Sequence, residues 1–248
     1  MNGIRALLFD TFGTLVDWRG GMIAHLSSWG DTRGIRTDWP ALVDGWRTDY
    51  PPSLDRVRRG ERAWANLDVL HRESFERLAP EFGVPAQGDE ALNALARFWH
   101  ELPAWPDVVG GLYRLKPRYM IAPLSNGHVA LLVSMSKSLG LPWDMIFGAD
   151  LFRHYKPDPE TYLGAAGLFG CAPGEVIMVA SHPSDLAAAA RYGLRTCYVS
   201  RKLEYGEGGI AEPLPTPGTF DLMVDGVDEL ADLLPRSAAK EVGSRNSD

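Results

Sequence analysis

Short apolar runs recur along this chain, and stretches with helical spacing lie between them. The first run is Ala6, Leu7, Leu8 and Phe9. Within LLFDTFGTLVDW it ends abruptly at Asp10, and a Gly-containing turn follows. Similar runs are Met120 to Leu124, Val176 to Ala180, Thr196 to Val199, and Leu222 to Val224. Continuous apolar runs of this length predict strands buried on both faces of a parallel sheet. After the second run Val129, Leu132, Val133 and Leu139 recur at helical spacing, and after the third LAAAARYG supplies helix formers closed by Gly193. The alternation predicts an α/β core, a doubly wound parallel sheet of Rossmann-like type. Pro123 fits this pattern least, because proline belongs at a sheet edge or near a strand end.

Residues 17 to 100 interrupt the alternation. No β-branched run occurs there; Leu67, Leu70, Phe75, Leu78 and Phe82 fall on one helical stripe, and Asp38 with Pro40 marks a helix start. The expected organisation is therefore a core of residues 1–16 and 101–235, a helical cap of residues 17–100, and a polar, flexible tail of residues 236–248. Because the insertion follows the first strand directly, it should emerge beside Asp10 and roof whatever lies there.

Composition narrows the classes of function. The 248 residues are 45% hydrophobic and carry a formal net charge of -7, which offers nucleic acid no overall electrostatic footprint. The basic cluster Arg56, Arg58, Arg59 and Arg62 is interrupted by Asp55 and Glu61 and reads as a solvated face. No apolar run approaches a membrane span. Cys171 and Cys197 have no metal-site spacing, and with the lack of a signal peptide they suggest a reduced, cytoplasmic compartment.

Polar residues collect where strands end: Asp10 and Thr14, then Ser125 and Asn126, then Lys156 in HYKPDPETY, then Ser181, His182 and Asp185. In a parallel sheet these ends share one edge, so residues remote in sequence can converge. A single Asp after a strand is ordinarily a turn former. Four such coincidences in one chain argue for a site.

With DTFGT, LSN, the lysine of YKPDP, and SHPSD in this order, the sequence resembles the haloacid dehalogenase superfamily over nearly its whole length. Most superfamily members are magnesium-dependent phosphatases with a second Asp two places after the nucleophile. Here that place holds Phe12, which cannot transfer a proton. Protonating a leaving alkoxide and holding Mg²⁺ are needs of phosphoryl transfer. Loss of halide from carbon needs neither. The chain resembles in particular the (S)-2-haloacid dehalogenase branch, which inverts configuration and uses no metal or other cofactor.

That resemblance implies a small haloacid as substrate, with Asp10 as the nucleophile that forms an aspartyl ester and Lys156 as the cation that keeps it ionised. It implies that Asp185 activates the hydrolytic water, and that Thr14 and Ser125 donate to nucleophile or substrate carboxylate. By the same resemblance Tyr162 matches a tyrosine near the lysine that supports this network, and Asn126 and Arg47 match the groups that hold the departing halide. Phe12 packs against substrate. The fourth motif departs from the branch, with Ala180 where serine is common and His182 where asparagine is common. His182 is thus open to three roles: replacement donor, base, or helix cap. The segment YPPSLDRVRRGERAWANLDVLHRES resembles a cap variant of dehalogenases that accept fluoroacetate, which adds defluorination to the expected range. Relatives are often dimers, so a homodimer is an option. The alternatives are a magnesium-dependent phosphatase of the same fold and a non-catalytic relative binding a small anion or a protein.

Overall fold

The computed structural model describes residues 3–207, 209 and 212–234. The expected tail, 236–248, lies outside them. Six strands form one parallel sheet: β1 (Ala6–Phe9), β2 (Met120–Ser125), β3 (Phe147–Gly148), β4 (Val176–Ala180), β5 (Arg195–Val199) and β6 (Leu222–Val224), in the order β3-β2-β1-β4-β5-β6. The sheet is doubly wound. Its strand order reverses between β1 and β4, and the crevice at such a reversal is where open α/β sheets bind ligands.

The period of two along each strand explains why the runs are apolar throughout. Leu7, Phe9, Ile177 and Val179 pack on one face with the helical insertion, whereas Ala6, Leu8, Val176 and Met178 pack on the other. Pro123 is tolerated because β3 pairs only with Leu124 and Ser125, so at Pro123 the strand has β1 alone as neighbour. The two-residue β3 is too short to leave a pattern in the sequence.

Between β1 and β2 lie α1 (Trp18–Asp31), α2 (Trp39–Arg58), α3 (Leu67–Leu78), α4 (Asp89–Arg97) and α5 (Val108–Leu115). The α2 start is built as its sequence suggests, with Pro40 in the first turn and the Asp38 side chain accepting from the Ala41 N–H at 3.0 Å. The stripe from Leu67 does not stay in one helix. The α-helix closes at Leu78, and a 3₁₀ turn, Ala79–Phe82, follows at Pro80. The chain leaves and re-enters the core as an antiparallel pair: the Asp17 N–H donates to the Pro103 carbonyl at 2.9 Å, and the Trp105 N–H to that of Leu15 at 3.0 Å. These bonds fix α1 beside the end of β1. The remaining helices are α6 (Val129–Leu139), α7 (Ala149–Phe152), α8 (Pro159–Leu168), α9 (Pro183–Arg191) and α10 (Val227–Leu233). Among the described residues, no helix is long and apolar enough to cross a membrane.

Candidate active site

Asp10 closes β1, where its N–H donates to the Val179 carbonyl at 2.9 Å and ties it to the neighbouring strand. Its side chain is buried yet lines a cavity of about 590 Å³. Oδ1 accepts from Lys156 Nζ at 2.8 Å; Oδ2 accepts from the Thr14 hydroxyl at 2.8 Å and lies 3.1 Å from His182 Nδ1. Burial disfavours the charged carboxylate, but the Lys156 ammonium and the His182 ring outweigh it and hold the Asp10 carboxyl well below the usual carboxylate range.

Lys156 sits in the loop before α8, where its backbone N–H donates to the Asn126 side-chain oxygen at 2.7 Å. Its ammonium also meets Asp185 Oδ2 at 2.5 Å, and Asp185 Oδ1 accepts from the Tyr162 hydroxyl at 2.5 Å. Burial would lower the lysine pKa; Asp10 and Asp185 instead raise it above its ordinary value. A cation so placed is fully charged at neutral pH.

His182 opens α9, but its ring forms no cap hydrogen bond. The ring lies between two carboxylates, with Nδ1 toward Asp10 and Nε2 2.9 Å from Glu204 Oε1. Burial lowers its pKa, while Glu204 and Asp10 together push it up to about 10. The ring is therefore an imidazolium and a double donor at neutral pH. His182 holds the N-cap position of α9, but its ring faces Asp10 and Glu204 rather than the helix N–H groups.

Glu204 was not legible in the sequence. It lies in the turn after β5, almost wholly buried, and also accepts from Trp18 Nε1 at 3.0 Å and from the Ser181 hydroxyl at 3.3 Å. Ser181 Oγ is 3.1 Å from Thr14 Oγ1, so Glu204 reaches Asp10 by two routes. Gly13 makes room for it: φ is +86°, and a Cβ there would stand 2.1 Å from Glu204 Oε1. Lys156, His182 and Arg47 thus line the cavity with Asp10 and Asp185, and Glu204 stands behind its wall in contact with His182.

Arg47 projects from α2 into this cavity, its guanidinium 5.0 Å from the Trp18 ring centroid and 4.7 Å from that of Tyr50. It forms no ion pair among the described residues. Aromatic faces thus hold the planar cation in place and leave its charge available to a ligand. Tyr50 lies one helical turn from Arg47, a spacing that sequence could have shown. Trp18, Tyr205 and Pro51 also line the cavity and were not anticipated.

Phe12 is buried at the cavity wall, edge-on to Trp99 with centroids 5.9 Å apart. Asn126 and Tyr162 line the cavity as well. Ser125 does not: its hydroxyl is buried and accepts the Gly127 N–H at 3.1 Å, which fixes the turn that presents Asn126. Thr14 is likewise behind the wall and acts on Asp10 from there.

The phosphatases of this fold hold Mg²⁺ between paired acids, and the residues here do not fit that ion. An apolar ring stands at position 12, where the second acid would be, and both Asp185 oxygens are already bonded, to Lys156 and Tyr162. Among the described residues two other groups could take a cation, Asp68 with His100 and His128, and His154 with Asp158 and Glu160. Neither lines the cavity.

The haloacid dehalogenase-like hydrolase family model matches residues 4–193. This chain belongs to that family. It is 31% identical to (S)-2-haloacid dehalogenase 1 of Pseudomonas sp. (strain CBS-3), over 81% of this chain and 86% of that protein. Among solved structures it is similar to a defluorinating L-2-haloacid dehalogenase, with 41% identity, a TM-score of 0.88, and coverage of 92% of this chain and 94% of the other. A second L-2-haloacid dehalogenase shows 45% identity and a TM-score of 0.88, covering 94% of this chain and 100% of the other. Family members with a phosphatase name are matched at lower identity, including a phosphoglycolate phosphatase of Photorhabdus laumondii at 27% over 84% of this chain and 85% of that protein. The chain is a hydrolase close to the (S)-2-haloacid dehalogenase branch.

Proposed function

We propose that this hydrolase removes halide from short 2-haloalkanoates of (S) configuration, without a metal, through an ester on Asp10. The observation that carries this reading is Phe12, an apolar ring at the cavity wall where a proton-transferring acid would stand. The site has an ionised nucleophile, a fixed countercharge and no acid at position 12 to protonate a leaving group. Such a set suits a leaving group that departs as an anion.

In the first step an Asp10 oxygen attacks the halogen-bearing carbon from the side opposite the halogen. The C–O bond forms as the carbon–halogen bond breaks, halide leaves with the electron pair, and the configuration inverts. Arg47 and Asn126 face the cavity and stabilise the departing halide, whose charge grows in the transition state. Phe12, Trp18 and Tyr50 exclude water from the nucleophile. In the second step water attacks Cγ of the ester and passes one proton to Asp185. The alkoxide of the product hydroxy acid is expelled and takes that proton, and Asp10 loses the remaining water proton to solvent. Tyr162 holds Asp185 in place. The cap of residues 17–100 supplies Arg47 and acts as the roof.

The cavity volume admits two- and three-carbon acids. Fluoroacetate belongs in the proposed range, since a cation and an amide face the leaving-group side and one similar solved structure is of a defluorinating enzyme. A small molecule rather than nucleic acid is the partner: of the basic cluster, Arg58 bonds Asp55 and Asp158, Arg59 bonds Glu61, and Arg62 bonds Glu73. Halide release from fluoro-, chloro- and bromoacetate and from both 2-chloropropionate enantiomers, with EDTA present, tests the reading. Release confined to the (S) enantiomer and undiminished by EDTA supports it. Phosphatase turnover requiring Mg²⁺, with no halide release, would contradict it.

A further inference from the structure

Two carboxylates flank His182, and only one of them survives the first chemical step. Asp10 Oδ2 and Glu204 Oε1 lie 3.1 Å and 2.9 Å from its two ring nitrogens. When Asp10 becomes an ester it loses its charge, and Glu204 is then the one acid still in contact with the ring. Glu204 is itself fixed by Trp18 Nε1 and the Ser181 hydroxyl, and its Oε1 packs against the bare Cα of Gly13.

We propose, on the basis of the ester mechanism above, that Glu204 is a positioning residue that keeps His182 protonated during the ester stage. His182 Nδ1–H, together with the Thr14 hydroxyl, then stabilises the oxyanion that forms on Asp10 Oδ2 when water attacks. The two oxygens of Asp10 are not equivalent. Oδ2 has two donors placed to hold a carbonyl oxygen, whereas Oδ1 has the single contact with Lys156 and is the oxygen that attacks substrate. As an imidazolium His182 has no lone pair with which to act as base; proton abstraction from water stays with Asp185. Its ionised form is a stronger donor than a neutral imidazole or amide would be, and the oxyanion is the point where a preorganised donor counts most.

The charged groups around His182 set its titration. Asp10 follows β1 and Glu204 follows β5; Asp185 lies on α9, Lys156 precedes α8, Arg47 projects from α2, and Glu212 binds Ser184 at the start of α9. In the free enzyme both contacting acids favour the charged ring, raising its pKa to about 10 against the effect of burial. In the ester Glu204 has that task alone. Loss of the Glu204 charge should therefore spare the first step and damage the second.

Glu204→Gln keeps the size and an oxygen to accept from Trp18 but removes the charge. Rapid-quench mass spectrometry of the whole protein with chloroacetate separates the steps, because halide release reports ester formation and loss of the carboxymethyl mass reports ester hydrolysis. The expected result is near-native halide release in the first turnover, with ester hydrolysis slowed roughly tenfold or more. That hydrolysis should also gain a pH dependence in the neutral range, where an unsupported histidine titrates. His182→Asn places a neutral, non-titrating donor near the Nδ1 position and should slow hydrolysis without any such pH dependence. Glu204→Asp should restore the flat profile. Ester hydrolysis at the native rate in either Glu204→Gln or His182→Asn would overturn the proposal, as would equal slowing of both steps in Glu204→Gln. If the native protein forms no ester with chloroacetate, the dehalogenase reading itself fails.

Discussion

The Phe12 ring meets that of Trp99 edge to face, 5.9 Å between centroids, so position 12 joins the nucleophile loop to the helical insertion through an apolar contact. Trp99 also stacks near Trp18 and against His71, which places Phe12 in the central aromatic cluster.

Phe12→Asp should therefore not turn the enzyme into a phosphatase. It removes a buried aromatic side chain from this cluster and sets a carboxylate beside tryptophan, at a cost of roughly 3 kcal/mol or more. Urea unfolding monitored by tryptophan fluorescence would show the loss. A variant of native stability that hydrolyses phosphate esters with Mg²⁺ would mean that the cavity holds the rest of the phosphatase apparatus.

The arginine in the roof makes a second prediction. Arg47→Lys keeps a positive charge but loses the flat surface that lies on Trp18 and Tyr50, and with it the fixed set of donors. Halide release in a single turnover should fall roughly one hundredfold, the magnitude for removal of a preorganised donor. The fall should be steepest with fluoroacetate, whose leaving group depends most on external stabilisation. An equal, small change across fluoro-, chloro- and bromoacetate would place the halide elsewhere.

Much of this site was legible in the sequence because strand ends are marked twice, by an apolar run and by the polar residue that stops it. Asp10, Asn126 and Asp185 were found this way, and the cavity gathers them with Lys156 although 175 positions separate Asp10 from Asp185. Ser125 carries the same mark, yet its hydroxyl turns back onto Gly127, since one strand end cannot aim two successive side chains at the same cavity. Glu204 left no mark. In SRKLEYGEG it reads as one charge in a solvated turn, and its burial follows from contacts with Trp18, Ser181 and His182 that only the folded chain makes. Arg47 and Tyr50 share a helix face, but which face looks inward depends on how α1 is held by the Asp17–Pro103 and Leu15–Trp105 bonds.

The charge on His182 has consequences for pH. Its folded pKa is raised, so it contributes stability in full below the unfolded value, and that contribution is lost as pH rises through about 10. Urea stability should decline between neutral pH and about pH 10, and the decline should be shallower in His182→Asn. Turnover of the native protein should likewise show no basic limb near neutrality. Activity that instead rises with pH through the ordinary histidine pKa, about 6.5, would make His182 a neutral base.

The ester mechanism stands or falls on the bond between Asp10 and substrate carbon, and a single turnover in ¹⁸O water with enzyme in excess tests it most directly. Water that attacks the ester carbonyl leaves its oxygen in the enzyme. Peptide mass spectrometry should therefore find ¹⁸O in the Asp10 carboxylate, while the hydroxy acid released in that turnover carries none. Label in the hydroxy acid and none in Asp10 would show water attacking the substrate carbon directly, and would contradict the ester mechanism.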